Sequence, residues 1–228
     1  IRASDWSSDV CSSDLSYSIE SITESIGARR MGNAPATIDW LLTDSRSLNF
    51  PEETLFFALT TKRNDGARYI ADLYARGVRN FVLSEESFRL MDNGQLTIDN
   101  AMQRDDAQSI VNYLIVPNPL KALQKLAEQH RNRFQIPVIG ITGSNGKTVV
   151  KEWLHQLLSP ERAIIRSPRS YNSQIGVPLS VWQMNEQSEL AIFEAGISEP
   201  GEMRALQNII KPTIGILTRS EERRVGKE

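Results

Sequence analysis

The segment Gly140-Ile-Thr-Gly143-Ser-Asn-Gly146-Lys147-Thr148 constrains the fold of this chain more than any other. Val138 to Thr142 reads as a strand and Thr148 to Leu158 as a helix, so glycines join a strand end to a helix start. Such a junction turns backbone N–H groups and the positive end of a helix dipole toward an anion, which is how phosphates are held. Lys147 adds a mobile positive charge for terminal phosphates, and the Thr148 hydroxyl can ligate Mg²⁺. The common spacing G-x-x-x-x-G-K-[ST] requires glycine at position 141, where this chain has Ile141. The glycine falls instead at Gly143, with another at Gly140, so the loop is a shortened variant. A plain strand-to-helix turn is the alternative. The order strand, loop, Gly-Lys-Thr, helix favours phosphate binding over that turn without naming a reaction.

The surroundings repeat the same alternation. Asn118 and Pro119 open a helix with Leu120, Leu123, Leu126 and Ala127 on one face. Beyond the loop come a strand (163–166), a helix (179–184), a strand (190–195), a helix (200–210) and a strand (213–217). Strands alternating with helices imply parallel βαβ units with right-handed crossovers. The expected fold class is α/β: a small N-terminal α/β domain over 16–117, then a truncated, doubly wound parallel-sheet P-loop ATPase domain over 118–218. Within the first domain, Ile19, Ile22 and Ile26 mark a helix before Gly27. Strands are expected at 38–42, 55–59, 80–84 and 113–116, a helix at 65–77, and little regular structure over 85–112. Residues 1–15 repeat Ser-Ser-Asp without helical, strand or signal-peptide pattern. Residues 219–228 are a charged run. Both ends read as non-native-looking tails resembling translated adaptor sequence, or else as solvated polar ends.

Composition removes several function classes. The 228 residues carry 26 Lys+Arg against 28 Asp+Glu, a net charge of -2, so no electrostatic case exists for nucleic acid or an anionic membrane as partner. Apolar runs fall far short of the roughly 20 residues needed to span a bilayer, so no membrane insertion is expected. The single cysteine, Cys11, cannot close an intrachain disulfide, and no Cys/His cluster has zinc spacing. A reducing, cytoplasmic setting fits.

Read together, four groups of residues resemble the Mur ligase family. They are Thr43-Asp44-Ser45-Arg46 with Leu55-Phe-Phe-Ala-Leu59 and Asn64-Asp65-Gly66; Gly143-Ser-Asn-Gly-Lys-Thr148 with Lys151-Glu152; Asn172-Ser-Gln-Ile-Gly-Val-Pro-Leu179; and Glu194-Ala-Gly196 with Pro200-Gly-Glu-Met203. The second, third and fourth are most similar to the branch that adds D-alanyl-D-alanine to UDP-N-acetylmuramoyl-tripeptide, rather than to branches adding earlier stem residues. That resemblance implies an ATP-dependent amide ligase of peptidoglycan precursor synthesis, working through an acyl phosphate, in the cytoplasm and as a monomer. It implies ATP contacts at Gly143, Ser144, Asn145, Gly146, Lys147, Thr148 and Asn172. Lys147 and Glu194 would be catalytic, Thr148 and Glu194 would hold Mg²⁺, and Asp44, Ser45 and Arg46 would contact the uridine nucleotide.

The bland readings stand beside these. Glu194 also suits a salt-bridged or helix-capping carboxylate, although its place at a strand end favours the metal role. Asn172 equally suits a loop turn, and Ser170 and Ser173 stand where the family commonly has asparagine. Asp44-Ser45-Arg46 is also an ordinary surface-turn composition. His130 and His155 read as surface or packing residues; Trp153, Leu154 and Leu157 read as core. The resemblance stops at Thr218, short of the family's second-metal histidine and lysine and its amine-binding C-terminal domain, so the chain reads as a fragment unable to complete the reaction alone. A generic P-loop phosphotransferase and a non-catalytic nucleotide-binding module remain open.

Overall fold

The computed structural model describes residues 11–60, 65–92 and 110–219. The chain divides into two compact units, Ile1–Gln129 and His130–Glu228. The sequence places the boundary at 117/118, N-terminal to the observed one. The helix opened by Asn118 accounts for the difference, because its Gln129 Nε2 donates to Ser25 O within the first unit at 3.0 Å.

In the first unit the elements are β1 (Cys11–Ser18), α1 (Ile19–Ile26), β2 (Arg29–Met31), β3 (Thr37–Leu42), β4 (Thr54–Phe57), α2 (Ile70–Ala75), β5 (Asn80–Ser84), α3 (Glu85–Asp92), β6 (Asn112–Val116) and most of α4 (Pro119–Arg131). They build a six-stranded sheet in the order β1-β3-β4-β5-β6-β2. The four inner strands are parallel, whereas β1 and β2 pair antiparallel at the edges. Gly27 ends α1 in the left-handed region at φ 69, and the buried face of that helix is Ile19, Ile22 and Ile26, as their spacing predicts. The expected helix over 65–77 opens instead with a 3-10 turn, Gly66–Tyr69, capped by the Asp65 carboxylate.

Two expectations need correction here. Residues 11–15 are not irregular: their backbone forms part of β1, with Cys11 opposite Leu41 and Ser12 opposite Trp40. Pairing onto a neighbouring edge uses main-chain groups alone, so it leaves no side-chain alternation to read. Residues 85–92 form α3, with Ser87 and Met91 buried and Phe88 packed against the core, although the segment is mostly polar. The remainder of the weakly patterned stretch, 93–109, and Asn64 lie outside the described residues.

The second unit holds β7 (Val138–Thr142), α5 (Lys147–Leu158), β8 (Ile164–Arg166), α6 (Gly176–Val181), β9 (Leu190–Glu194), α7 (Glu202–Ile210) and β10 (Ile214–Leu217). Its sheet, ordered β10-β7-β9-β8, is parallel throughout. Helix α6 begins three residues before the expected 179 because the Ser173 hydroxyl caps it, accepting from Gly176 N at 3.1 Å. Pro178 is tolerated there because first-turn amides need no helical partner. On α5, Val150, Leu154 and Leu158 pack against Ile139, Ile141, Leu190 and Ile192. Trp153 and Leu157 do not belong to the core: they are 63% and 74% exposed. They lie one residue round the helix from the sheet-facing positions, and that step of about 100° turns them outward.

His130 is a packing residue, buried against Phe134 and Trp182, with its Nε2 3.0 Å from Met184 O. Burial pushes its imidazole from 6.5 down to about 4. Between those values the unfolded chain binds a proton that the folded chain rejects, so stability present above pH 6.5 is lost as pH falls toward 4. The loss amounts to roughly 3 kcal/mol when complete. Denaturant titrations at pH 7 and pH 4.5 should register most of that difference in the parent, and His130→Gln should flatten it. An equally steep pH dependence in the variant contradicts the assignment.

Candidate functional site

The parallel register brings three strand ends together. Ile141 of β7 lies beside Glu194 of β9, and Arg166 of β8 lies beside Ile192. The loops that leave these strands therefore gather at one edge of the sheet: 143–146, 195–201 and 167–175. This carboxyl edge is where ligands bind open α/β sheets.

The first loop is set by its glycines. Gly143 has φ 134 and Gly146 has φ 85. A Cβ on Gly143 would collide with the Thr218 hydroxyl and backbone, because Thr218 is drawn in by N and Oγ1 bonds to Thr142 O at 2.8 and 3.0 Å. Gly146 instead faces open space and serves only to start α5 in the left-handed region. Ser144 N, Asn145 N and Ser144 Oγ converge on one oxygen, Arg219 O, at 2.9, 3.3 and 2.6 Å. Lys147 folds back over the loop, its Nζ donating to Gly143 O at 2.7 Å. The first-turn amides of α5 that follow lack helical acceptors, as in any helix.

Behind the loop lies a buried pair of opposite charges, Lys151 and Glu194. The Thr148 hydroxyl donates to Glu194 Oε2 at 3.1 Å. Glu194 is fully buried, and its backbone N donates to Ser167 Oγ at 3.2 Å. Its Oε1 makes no hydrogen bond among the described residues. Lys151 Nζ stands 2.9 Å from that oxygen, near enough for an ion pair but off the hydrogen-bonding direction. Lys151, fully buried too, donates to Ser167 O at 2.8 Å and also to Arg169 O.

Asn172 reaches this edge from the third loop. Its carbonyl accepts from Gly196 N at 2.7 Å, and a Cβ on Gly196 would sit 2.9 Å from Asn172 Oδ1, so only glycine lets the two loops meet. Glu202 closes the 195–201 loop by accepting from Ser198 N and Glu199 N at 2.6 and 3.0 Å, and those amides hold its carboxyl below the usual range. Between the loops is a cleft of about 590 Å³, walled by Gly143, Ser144, Lys147, Asn172, Gly196 and Ser198 among others.

Seven of the residues singled out in sequence thus gather at one edge: Gly143, Ser144, Gly146, Lys147, Thr148, Asn172 and Glu194. Asn145 shares the loop with its amide turned to Arg219 O. Asp44, Ser45 and Arg46 lie in the first unit. There Asp44 caps a 3-10 turn, Ser45–Ser47, and Arg46 folds onto it, Nε donating at 2.9 Å to Oδ1. The Arg46 guanidinium holds the Asp44 carboxyl below the ordinary carboxylate range. That guanidinium is 86% exposed, and Arg76 Nη1 fixes the turn by donating to Ser45 O at 2.7 Å. Lys151 and Ser167 were not among the sequence candidates as site residues. The signal for Lys151 was its spacing: a lysine three residues after Thr148 shares its helix face.

Among the described residues no three His, Cys, Asp or Glu side chains could jointly hold a metal ion. The Thr148 and Glu194 oxygens nevertheless suit Mg²⁺, which usually keeps several waters and takes only one or two protein ligands beside a phosphate. The buried Glu194 carboxylate, with Oε2 turned to the Thr148 hydroxyl, gives that pair a negative donor.

Comparison with known proteins gives a consistent match. Residues 141–222 match the Mur ligase middle domain. A UDP-N-acetylmuramoyl-tripeptide--D-alanyl-D-alanine ligase of Borreliella burgdorferi is 32% identical over 188 residues, 82% of this chain and 38% of the relative. One from Treponema pallidum is 40% identical over 106 residues, 46% of this chain and 23% of the relative. Among solved structures, MurF from Acinetobacter baumannii shares the fold at TM-score 0.72 and 23% identity, covering 89% of this chain and 40% of its own. MurF ligase from Thermotoga maritima in complex with ADP matches at TM-score 0.61 and 26% identity, over 78% of this chain and 37% of its own. The chain thus spans about two-fifths of the length of the Borreliella relative.

The two loop glycines should differ in their response to alanine. Gly143→Ala meets both a forbidden φ and a collision and should lose roughly 2–3 kcal/mol, whereas Gly146→Ala meets φ alone and should lose about 1 kcal/mol. Urea unfolding of the two variants measures this; equal losses contradict the packing described at Thr218.

Proposed function

We propose that this chain, which is similar to the Mur ligases and most of all to the D-alanyl-D-alanine-adding members, binds ATP with Mg²⁺ in its second unit and the UDP-sugar peptide of the same reaction in its first. The reaction is the ATP-dependent joining of D-alanyl-D-alanine to UDP-N-acetylmuramoyl-tripeptide. The observation that carries this reading is the Thr148–Glu194 contact just behind the glycine loop, since a hydroxyl and a buried carboxylate side by side form a divalent-cation donor pair next to a phosphate cradle.

A carboxylate resists attack by an amine, so the tripeptide carboxylate first takes the γ-phosphoryl group of ATP and becomes an acyl phosphate. The amine of D-alanyl-D-alanine then displaces phosphate. Catalysis of such transfer is mostly positioning and charge neutralisation. The α5 amides and Lys147 Nζ hold the β- and γ-phosphates; Lys147 leaves Gly143 O to do so. Thr148 and Glu194 hold Mg²⁺, which when bound offsets the phosphate charge. Asn172, held by Gly196 N, lines the nucleotide cleft of the second unit. In the first unit, Asp44, Ser45 and Arg46 contact the uridine diphosphate, with Arg46 offering paired donors to phosphate once it shares or leaves Asp44. No helix among the described residues is long and apolar enough to cross a membrane. A cytoplasmic, monomeric enzyme is the setting we assign.

Two measurements test the two halves. Calorimetry with UDP-N-acetylmuramoyl-tripeptide should give weak binding that Arg46→Ala reduces by roughly 1.5–3 kcal/mol; equal affinity removes Arg46 from the site. Lys147→Ala should leave the circular dichroism spectrum unchanged and weaken ADP binding by at least about tenfold, as expected for loss of a charge-assisted contact. Parent-like ADP affinity in that variant contradicts the phosphate role and favours a plain turn at this loop.

A further inference from the structure

Lys151 has no role in the reading so far, yet it is one of the largest fully buried side chains of the molecule. Burying an ammonium is strongly unfavourable unless charge and hydrogen bonds compensate it. Here the compensation comes from the loop after β8, from β9 and from α5 itself. One donor goes to Ser167 O, one to Arg169 O, and the charge faces Glu194 Oε1 at 2.9 Å and Glu152 Oε1 at 3.3 Å. Glu152 is drawn away by Arg166 Nη1 at 3.0 Å and is partly exposed, so the fully buried partner is Glu194. Lys151 is not on the cleft wall. It stands one helical turn beyond Lys147, which is.

We propose that Lys151 is a positioning residue that sets the divalent-cation affinity of Thr148 and Glu194. By holding Oε1, it leaves Oε2 as the carboxylate oxygen turned to the Thr148 hydroxyl. By holding the carbonyls of 167 and 169, it fixes the start of the loop that delivers Asn172 to Gly196. One ammonium thus ties the phosphate-loop helix, the metal carboxylate and the substrate loop into one geometry without touching nucleotide. The inference rests on the reading of Glu194 and Thr148 as the Mg²⁺ ligands.

The test is the Mg²⁺ concentration that half-saturates the ADP-loaded chain, followed by calorimetry, together with ADP affinity in the absence of metal. Lys151→Met keeps the length of the side chain and removes its charge and donors. It should raise the Mg²⁺ half-saturation by about 10–100-fold, the usual cost of losing an outer partner of a metal ligand, while metal-free ADP affinity stays near that of the parent. A purely structural lysine would instead lower the melting temperature and leave the Mg²⁺ half-saturation of the folded fraction untouched, which overturns the proposal. Should Lys151→Met not fold, Lys151→Arg carries the test: it keeps the charge but cannot place a planar fork where an ammonium meets two carbonyls and a carboxylate, so it should shift the half-saturation in the same direction. An unshifted value in the arginine variant also overturns the proposal. Glu194→Gln separates the two levels. If it shifts Mg²⁺ half-saturation and the Lys151 variants do not, only the positioning role falls; if it does not, the metal site itself falls and takes the proposal with it.

Discussion

A buried carboxylate at the end of a parallel strand is the constraint on which the rest of the second unit depends. Glu194 is wholly out of solvent, and the sheet around it is Ile139, Ile141, Leu190 and Ile192. A carboxylate in that setting must be answered by charge and by donors. The answers come from Lys151 and from the Thr148 hydroxyl, while the Glu194 backbone N–H separately donates to Ser167 Oγ. Lys151 and Thr148 belong to α5 and Ser167 to the loop after β8, so these contacts fix α5 against β9 and both against that loop.

The same three segments form the cleft, and glycine decides how closely they approach. Gly143 admits Thr218, which closes the back of the phosphate loop, and Gly196 admits Asn172, which brings the third loop to the mouth. The polar centre pulls the segments together and the missing side chains let them arrive. The proposed phosphate binding then needs only amides, one flexible lysine and the oxygens of Thr148 and Glu194, gathered at the edge where the strands end.

Much of this was legible in the sequence, for identifiable reasons. The strands of the second unit are short apolar runs between glycine and proline signals, and the Gly-Lys-Thr loop has a meaning fixed by backbone geometry. The edge strands β1 and β2 escaped notice because their pairing uses the main chain and leaves no alternation. Trp153 and Leu157 mislead in the opposite way: apolar residues on a site helix read as core, but the helix turns only one stripe to the sheet. Lys151 was quoted as part of a motif yet not as part of the site, since a lysine on a helix reads as solvated until its surroundings are known. Arg46, expected to contact the uridine nucleotide, is folded onto the carboxylate of Asp44 two residues away.

The most direct test of the account is a crystal structure of the chain with ADP and Mg²⁺. It should place the β-phosphate on the first-turn amides of α5 and Lys147 Nζ, with the metal between Thr148 Oγ1 and the Glu194 carboxylate. Coordination at about 2.0–2.1 Å, directly or through one water, is the expected geometry. An ordered nucleotide whose metal lies away from both residues, with the Thr148–Glu194 hydrogen bond unbroken, would contradict it.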